Sequence, residues 1–383
     1  MHPTREFREI FGASPTHLVE APGRINLIGE HVDYNDGLAI PCGIDRYGRM
    51  LSRPREDRRA RIHSTLFSQT VSISVSEPLQ QNGFEGWALY PAGVIREFQK
   101  RELPLCGMDC FIYGDVPAGA GLSSSAALEV AFAETCRLHS GLELSGLELA
   151  TLCQQAERLF VGVRCGIMDQ YAAVFSEKGS ALLLDCRSRR HEGIPLPSGI
   201  SFVAVDSGVS RSLAGSGYNR RRRECEEALY LVNDRIRGLS SLRDLTFEKL
   251  SEYAGILPIE LLKRARHVVT EIERVRLFSK ALMEADVGAL GPLLYESHRS
   301  LRDDFEVSVP ELDFLVDEAS SHEAVLGGRL MGAGFGGSSI HLVKSEGQED
   351  FAEFITSRYA HAFAKPAEAR FLNSTDGVKS VVL

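Results

Sequence analysis

Residues 117–133 read PAGAGLSSSAALEVAFA, a glycine-rich loop that feeds a helix. Gly119 and Gly121 let the backbone take positive φ and come close to a ligand. Ser123, Ser124 and Ser125 then open the helix-forming run AALEVAFAETC. The first turn of a helix leaves N–H groups unpaired and carries partial positive charge. Such a loop can therefore hold phosphate without a lysine. Walker A is excluded, because that pattern ends in Gly-Lys-Ser/Thr. The serine hydroxyls add bonds to phosphate oxygens or to Mg²⁺. The plainer alternative is a serine N-cap on a core helix. Three serines after two glycines exceed what a cap needs, which favours phosphate binding.

On either side of this loop the elements alternate without a regular βαβ repeat. CFIYGDVP (110–117) reads as a strand running into it, and helices follow at about 125–139 and 145–161. In the second helix Leu149, Leu152, Ala156 and Leu159 fall at helical spacing and form the expected core face. Glu157 lies beside that stripe, as a metal ligand or as a solvated flank; the spacing alone favours the flank. Asp169 sits in the apolar segment CGIMDQYAAVF, where an acid must be paired or do chemistry. Upstream, RPREDRRARIH (53–63) reads as a solvated turn and edge strand. TVSISVS (70–76) has the period-two pattern of a half-buried strand. WALYPAGVIREFQKR is a helix bearing Trp87, the single tryptophan. Downstream, GSALLLDCRS and ISFVAVDSGVS are strands separated by GIPLPSG (193–199), the expected domain boundary. The chain from 219 to about 296 is mainly helical. The pattern predicts α+β architecture over a doubly wound parallel sheet.

Three further segments carry functional groups. APGRINLIGEHVDYNDG (21–37) packs Arg24, Asn26, Glu30, His31, Asp33 and Tyr34 into one span, which suits a polyhydroxylated ligand. Its alternative is a polar surface turn with Asn-Asp-Gly as a hairpin signal. GAGFGG matches G-x-G-x-x-G at Gly332, Gly334 and Gly337, but SSIHLV after it alternates like a strand. A dinucleotide fingerprint needs a helix there. A glycine-rich turn packed on a ligand or a loop is expected instead. In NRRRRECEEALY, Arg220, Arg222 and Arg223 each have a glutamate four residues on, the pattern of a salt-bridged helix face rather than a nucleic-acid contact.

Composition bounds the reading. The chain has 383 residues, formal net charge -9, 44% hydrophobic and 25% charged residues. That length suits two domains. The acidic balance argues against nucleic acid as a partner. No uncharged apolar run is long enough to cross a bilayer, so no membrane partner is expected. The N-terminal residues are charged where a signal peptide needs an apolar core. A cytoplasmic protein is expected. The eight cysteines form no C-x-x-C pair, and several, inside apolar runs, are expected to be buried thiols.

Together, GRINLIGEHVDYNDG, PAGAGLSSSAA and GRLMGAGFGG resemble the signature, phosphate loop and third motif of the galactokinases, in the GHMP small-molecule kinase superfamily. GIMDQYAAVFSEKGSALLLDCRS and SHRSLRDDFEVSVPELD resemble the same family, in the same order. The resemblance implies a two-domain α+β fold. Residues 1–198 would form a ribosomal-protein-S5-domain-2-like domain and 199–383 a ferredoxin-like one, with the site between them. It implies ATP-dependent phosphorylation of the C1 hydroxyl of a hexose, with ATP and Mg²⁺ as cofactors and a sugar as the other small-molecule partner. Asp169 would be the general base and Arg24 its charged neighbour. Glu30, His31, Asp33, Gly166 and Tyr218 would bind the sugar. Gly119, Ala120, Gly121, Leu122, Ser123, Ser124 and Ser125 would cradle the phosphates, and Trp87 would lie against adenine. Ser125 and Glu157 would hold Mg²⁺, with Ser124 the alternative serine. Val32 and Ser338 stand where the family usually has threonine and cysteine. Those departures leave arabinose, galacturonate and N-acetylgalactosamine as alternative substrates; a non-catalytic sugar or nucleotide sensor on the same fold is a separate alternative, against which Arg24, the loop, Glu157 and Asp169 together argue.

Overall fold

Three sheets organise the chain; the computed structural model describes residues 2–210 and 214–383. The largest sheet contains β1 (His17–Asn26), β3 (Pro41–Arg55), β4 (Arg59–Ser64), β5 (Gln69–Ser74), β6 (Gly107–Gly114) and β13 (Lys379–Val382). Its order is β13-β1-β3-β6-β4-β5, with β4 and β6 the parallel pair. A three-stranded sheet has the order β2 (Leu38–Ala39), β7 (Ser180–Asp185) and β8 (Arg190–Pro195). The antiparallel third sheet runs β10 (Val325–Leu330), β11 (Ser338–Lys344), β9 (Ile200–Asp206) and β12 (Glu368–Leu372).

Helices α2 (Leu89–Lys100), α3 (Ser124–His139), α4 (Gly146–Ala156) and α5 (Met168–Phe175) pack around the core beneath the first sheet. On that sheet's other face α1 (Pro3–Phe11) sets Phe7 and Phe11 against Leu51 and Phe111. A second core lies among the third sheet, α6 (Ala214–Ile236), α7 (Phe247–Glu252), α8 (Ile259–Met283), α10 (Pro310–Ala319) and α11 (Gln348–Phe363). A third joins the two halves and includes Ile25, Ile28 and Ile340, with Phe278 of α8 and Leu290 of α9 (Val287–Asp303). Ala120 and Leu122 of the glycine loop are buried in this seam. Burying a leucine contributes about 2 kcal/mol, so the seam anchors the loop from behind. The architecture is α+β, as expected. Among the described residues no helix is long and apolar enough to cross a membrane.

Four expectations need correction. Residues 59–64 form an internal strand, not an edge strand, because Asp109 of β6 is fully buried and accepts from Arg53 and Arg61 at 2.8 and 2.7 Å. Arg53, Arg55 and Arg61, which read as solvated, face that carboxylate. GIPLPSG is not simply a linker, since residues up to Pro195 belong to β8, which pairs along β7. The helix expected to reach residue 161 stops at Ala156 and continues as a π turn, Glu157–Val161. That turn breaks the periodicity: Leu149, Leu152 and Ala156 are buried, but Leu159 is 57% exposed and Phe160 takes its place in the core. Helical structure also continues past 296, through α9 and α10. Two other patterns read from the sequence hold. GAGFGG is the turn between β10 and β11, and Arg220 and Arg222 pair with Glu224 and Glu226. All cysteines are free; Cys106 and Cys165 are half-buried and the others buried.

Candidate active site

Two cavities meet at the start of α3. One, of about 300 Å³, is lined by Arg24, Glu30, Asp33, Glu157, Asp169 and Tyr218, among others. The other, of about 570 Å³, has Tyr47, Phe67, Trp87 and Tyr113 in its walls. They share Tyr90, Gly119, Ser124 and Ser125.

The glycine loop forms the partition. Gly119 and Gly121 have φ of 79° and 85°. Its carbonyls are held from the protein side. The Ser338 hydroxyl donates to Ala120 O at 2.7 Å, Arg24 Nη1 to Gly121 O at 2.6 Å, and Arg24 N to Leu122 O at 3.1 Å. With its carbonyls engaged, the loop has N–H groups to offer a ligand. Ser338 thus reaches the loop from the third motif. Ser123 takes the N-cap position with φ 58°, yet its side chain makes no cap bond. A left-handed non-glycine residue costs roughly 1–3 kcal/mol and points to function. The N-cap alternative therefore does not describe these serines. The Ser123 hydroxyl donates instead to Asp169 Oδ2 at 2.6 Å. Ala120 and Leu122 are buried and line neither cavity.

Asp169 is in the first turn of α5 and Arg24 is on β1, just past an irregularity in the β1–β3 register at Pro22/Arg24. Bulges of this kind re-aim side chains near active sites. Arg24 Nε and Nη2 donate to the two oxygens of Asp169 at 2.8 and 2.9 Å, a bidentate pair. The arginine side chain is 5% exposed and the aspartate 30%, so the carboxylate is the member that a ligand can reach. Burial pulls the Arg24 pKa down, but Asp169, Glu30 and Asp33 outweigh it and hold the group above its usual value.

The span 26–37 is clamped by the other half of the chain. Buried Arg329 on β10 donates to the carbonyls of Leu27 and Asn26, and with Gly332 N it holds Glu30 Oε1 at 3.2 and 2.7 Å. On α8, Glu271 accepts from Gly29 N at 3.0 Å, and His267 Nε2 contacts Glu30 O at 3.1 Å. His31, at φ 60°, meets Tyr34 OH through Nδ1 at 2.8 Å and Ala333 O through Nε2 at 3.2 Å. Burial, with His267 nearby, lowers its pKa to about 3, so the ring is neutral. A carbonyl can only accept, so Nε2 carries the proton and Nδ1 accepts from the tyrosine. Asp33 is pushed up to about 7 by burial and by the Asp169 and Glu30 charges. Gly166 lies against it: a Cβ there would come within 2.0 Å of Asp33 Oδ2.

Glu157 begins the π turn, whose carbonyl accepts from Gly162 N and Val163 N. Such turns recur at functional sites. The side chain is buried rather than a solvated flank, and Ser125 lies beside it. Burial, then Asp169, push its carboxyl up to about 7. Burial and Glu157 likewise raise Glu129 behind it. A divalent cation would supply the charge this corner lacks. Among the described residues no three His, Cys, Asp or Glu side chains are grouped to hold a metal. One carboxylate and one hydroxyl, completed by phosphate oxygens and water, is nonetheless a donor set that suits Mg²⁺.

Trp87 is 8% exposed in the larger cavity, stacked on Phe67 with ring centroids 6.1 Å apart and planes at 9°. The sequence reading missed Tyr90, Cys165, Met168, Gly332 and Ala333, which also line the cavities. Only the glycine-rich third motif offered a signal for the last two.

The chain matches three family descriptions: the GHMP kinases N terminal domain over residues 90–177, the galactokinase galactose-binding signature over 5–54, and the GHMP kinases C terminal over 278–361. It is 44% identical over 375 residues to a galactokinase of Chloroflexus aggregans, covering 98% of this chain and 96% of that one. A galactokinase of Roseiflexus sp. is 43% identical over 376 residues, with the same coverage. Among solved structures, Lactococcus lactis galactokinase complexed with galactose superposes with TM-score 0.93 at 33% identity, over 99% of this chain and 98% of that one. A mevalonate kinase at 17% identity and TM-score 0.64, over 94% of this chain and 99% of that one, shares the fold.

Proposed function

The chain belongs to the galactokinase family of GHMP kinases, and from that premise we propose that it transfers the γ-phosphoryl group of ATP to the C1 hydroxyl of α-D-galactose, giving galactose 1-phosphate and ADP. The observation that carries the reading is the Arg24–Asp169 pair, which faces the smaller cavity beside the serines that both cavities share. In it the sugar occupies the smaller cavity and the nucleotide the larger.

Phosphoryl transfer asks a protein chiefly for positioning and charge stabilisation. Asp169 takes the hydroxyl proton as the C1 oxygen bonds to phosphorus and the bond to the ADP oxygen breaks. Arg24 holds the carboxylate bidentate and stabilises negative charge nearby. A carboxylate tied to an arginine is a weak base, so preorganisation in the cleft supplies much of the effect. Glu30, with Oε1 engaged by Gly332 and Arg329, keeps Oε2 for a sugar hydroxyl. Asp33 and Tyr218 supply further polar contacts. His31, with both nitrogens engaged, serves through its position beside Tyr218, at a ring distance of 5.2 Å. Gly166 makes room for Asp33. The N–H groups of 119–125 and the hydroxyls of Ser124 and Ser125 cradle the phosphates, and Trp87 borders adenine. Ser125 and Glu157 would hold Mg²⁺, which when bound neutralises phosphate charge. Residues 1–198 and 199–383 are taken as the two domains, although β13 returns to the first sheet.

A neutral sugar suits this cavity better than galacturonate. Glu30, Asp33 and Asp169 line it, and its arginine is already bound by Asp169 and Gly121 O. A uronate would meet like charge. The test is an ATP-coupled assay with galactose, arabinose, galacturonate and N-acetylgalactosamine. Galactose should give the highest kcat/KM and galacturonate at least ~10²-fold less. Binding of sugar and ATP with no turnover on any sugar would favour the sensor instead.

A further inference from the structure

Behind Glu157 lies a buried pair that the reading above does not use. Glu129 on α3 and Gln170 on α5 are both fully buried. The Gln170 amide nitrogen donates to Glu157 Oε2 at 2.6 Å and to Glu129 Oε2 at 3.0 Å. An NH₂ group has two hydrogens, so these bonds use its full donor capacity. In this orientation the amide nitrogen faces both carboxyl groups, while Gln170 Oε1 is buried with no hydrogen-bond partner among the described residues.

We propose that Gln170, anchored on Glu129, is the positioning residue that fixes the Glu157 carboxylate beside Ser125 and thereby sets the affinity of the site for the divalent cation of the nucleotide complex. The inference rests on the reading of Glu157 as the metal-holding carboxylate.

The placement supports it. Glu129, Glu157 and Gln170 come from α3, the π turn and α5, so the amide ties three elements at one point. Asp169 and Gln170 are neighbours in the first turn of α5, about 100° apart around the helix. One residue turns to Arg24 and the next to Glu157. A single helix start thus aims both the proposed base and the proposed metal carboxylate. Besides Gln170, the Glu157 carboxyl meets Ser125, which belongs to the site, Glu129 itself, and the weak donor Cys165, at 3.7 Å. An unheld glutamate has rotamer freedom to lose on binding a cation. Outer partners of metal ligands typically change metal affinity by about 10–100-fold.

The experiment measures Mn²⁺ binding by electron paramagnetic resonance, with the full chain saturated by a non-hydrolysable ATP analogue. Gln170→Met keeps the volume and removes both hydrogen bonds; Gln170→Asn withdraws the amide and serves if the first variant fails to fold. Either should weaken Mn²⁺ binding about tenfold or more, while galactose affinity by calorimetry stays within about twofold. Glu129→Gln keeps an oxygen that accepts from the amide and should stay near wild type. Wild-type Mn²⁺ affinity in both Gln170 variants, alongside a large loss in Glu157→Gln, overturns the proposal and spares the reading beneath it. Wild-type affinity in Glu157→Gln overturns both.

Discussion

The two cavities on either side of Ser124 and Ser125 have walls of different kinds. The smaller is walled by charges that hold one another: Arg24 by Asp169, Glu30 by Arg329 and Gly332, Glu157 by Gln170. The larger is walled mostly by rings, aliphatic groups and backbone, with Trp87 against Phe67. In the first, moving one group moves its partners, since residues that share a hydrogen-bond network couple strongly. In the second, contacts are short-ranged and nearly additive. Substitutions in the smaller cavity should therefore be severe and specific, and those in the larger mild.

Asp169 gives the sharpest version of that contrast. Asp169→Ala should lower kcat by about 10³-fold or more, within the range for loss of a general base plus charge stabilisation. Galactose and ATP should still bind by calorimetry. Because the variant leaves Arg24 buried and unpaired, a loss of about 3–5 kcal/mol in stability is also expected. Asp169→Asn keeps the volume and should lose turnover with less unfolding. Near-normal kcat in either variant would remove Asp169 from the mechanism.

Gly166→Ala should come next. The new Cβ would stand 2.0 Å from Asp33 Oδ2, so the carboxylate must move. A displacement near 1 Å can cost about 10²-fold. The expected loss is in kcat/KM for sugar, with ATP KM unchanged. An equal rise in both KM values would mean that the two cavities are not as separate as their walls suggest.

This contrast also marks where the sequence was legible. The glycine–serine loop, the signature at 21–37 and Asp169 combine chemistry with local spacing, and each contributes residues to one or both cavities. What escaped depends on distant partners or on a broken period. Leu159 continued the apolar stripe on paper, but the π turn shifts every later residue around the axis, which puts Phe160 inside. The same turn buries Glu157, whose neighbours had favoured a solvated flank. Arg53, Arg55 and Arg61 read as exposed because Asp109, their partner, lies about fifty residues away in the chain. Arg329 gave no sign that it would be fully buried across a motif 300 residues distant. Ionic clamps of this kind are set by tertiary approach, and no local pattern encodes them.

Asp33 sharpens the comparison through pH. Burial, with Asp169 and Glu30 facing it and Arg222 opposing them, raises its carboxyl from 3.8 to about 7. A carboxyl raised on folding stabilises the native state fully below its unfolded value and loses that contribution as pH rises through about 7. Asp33→Asn keeps a neutral group at all pH values. The melting temperature of the ligand-free variant should therefore gain on the wild type between about pH 4 and 7. Galactose KM of the wild type should rise as pH falls from 8 to 6, because the sugar hydroxyl loses an ionised acceptor. Parallel melting curves for the two proteins across that range would exclude Asp33 as the titrating group.

The smallest effect belongs to the apolar wall. Trp87 is the single tryptophan, and its indole Nε1 donates to Gln69 at 3.1 Å while its face meets Phe67. Aromatic contacts of this kind contribute about 0.5–1.5 kcal/mol beyond area. Trp87→Phe keeps a ring in the wall and should raise ATP KM only about two- to tenfold, with kcat and galactose KM unchanged. The same residue reports on its cavity directly. ATP should alter the intrinsic tryptophan emission, whereas galactose, which the proposed reading puts across the partition, should leave it nearly constant. If galactose alone shifts the emission as much as ATP does, the loop at 119–125 transmits what happens in the charged cavity to the apolar one, and the two walls are coupled through Ser124 and Ser125.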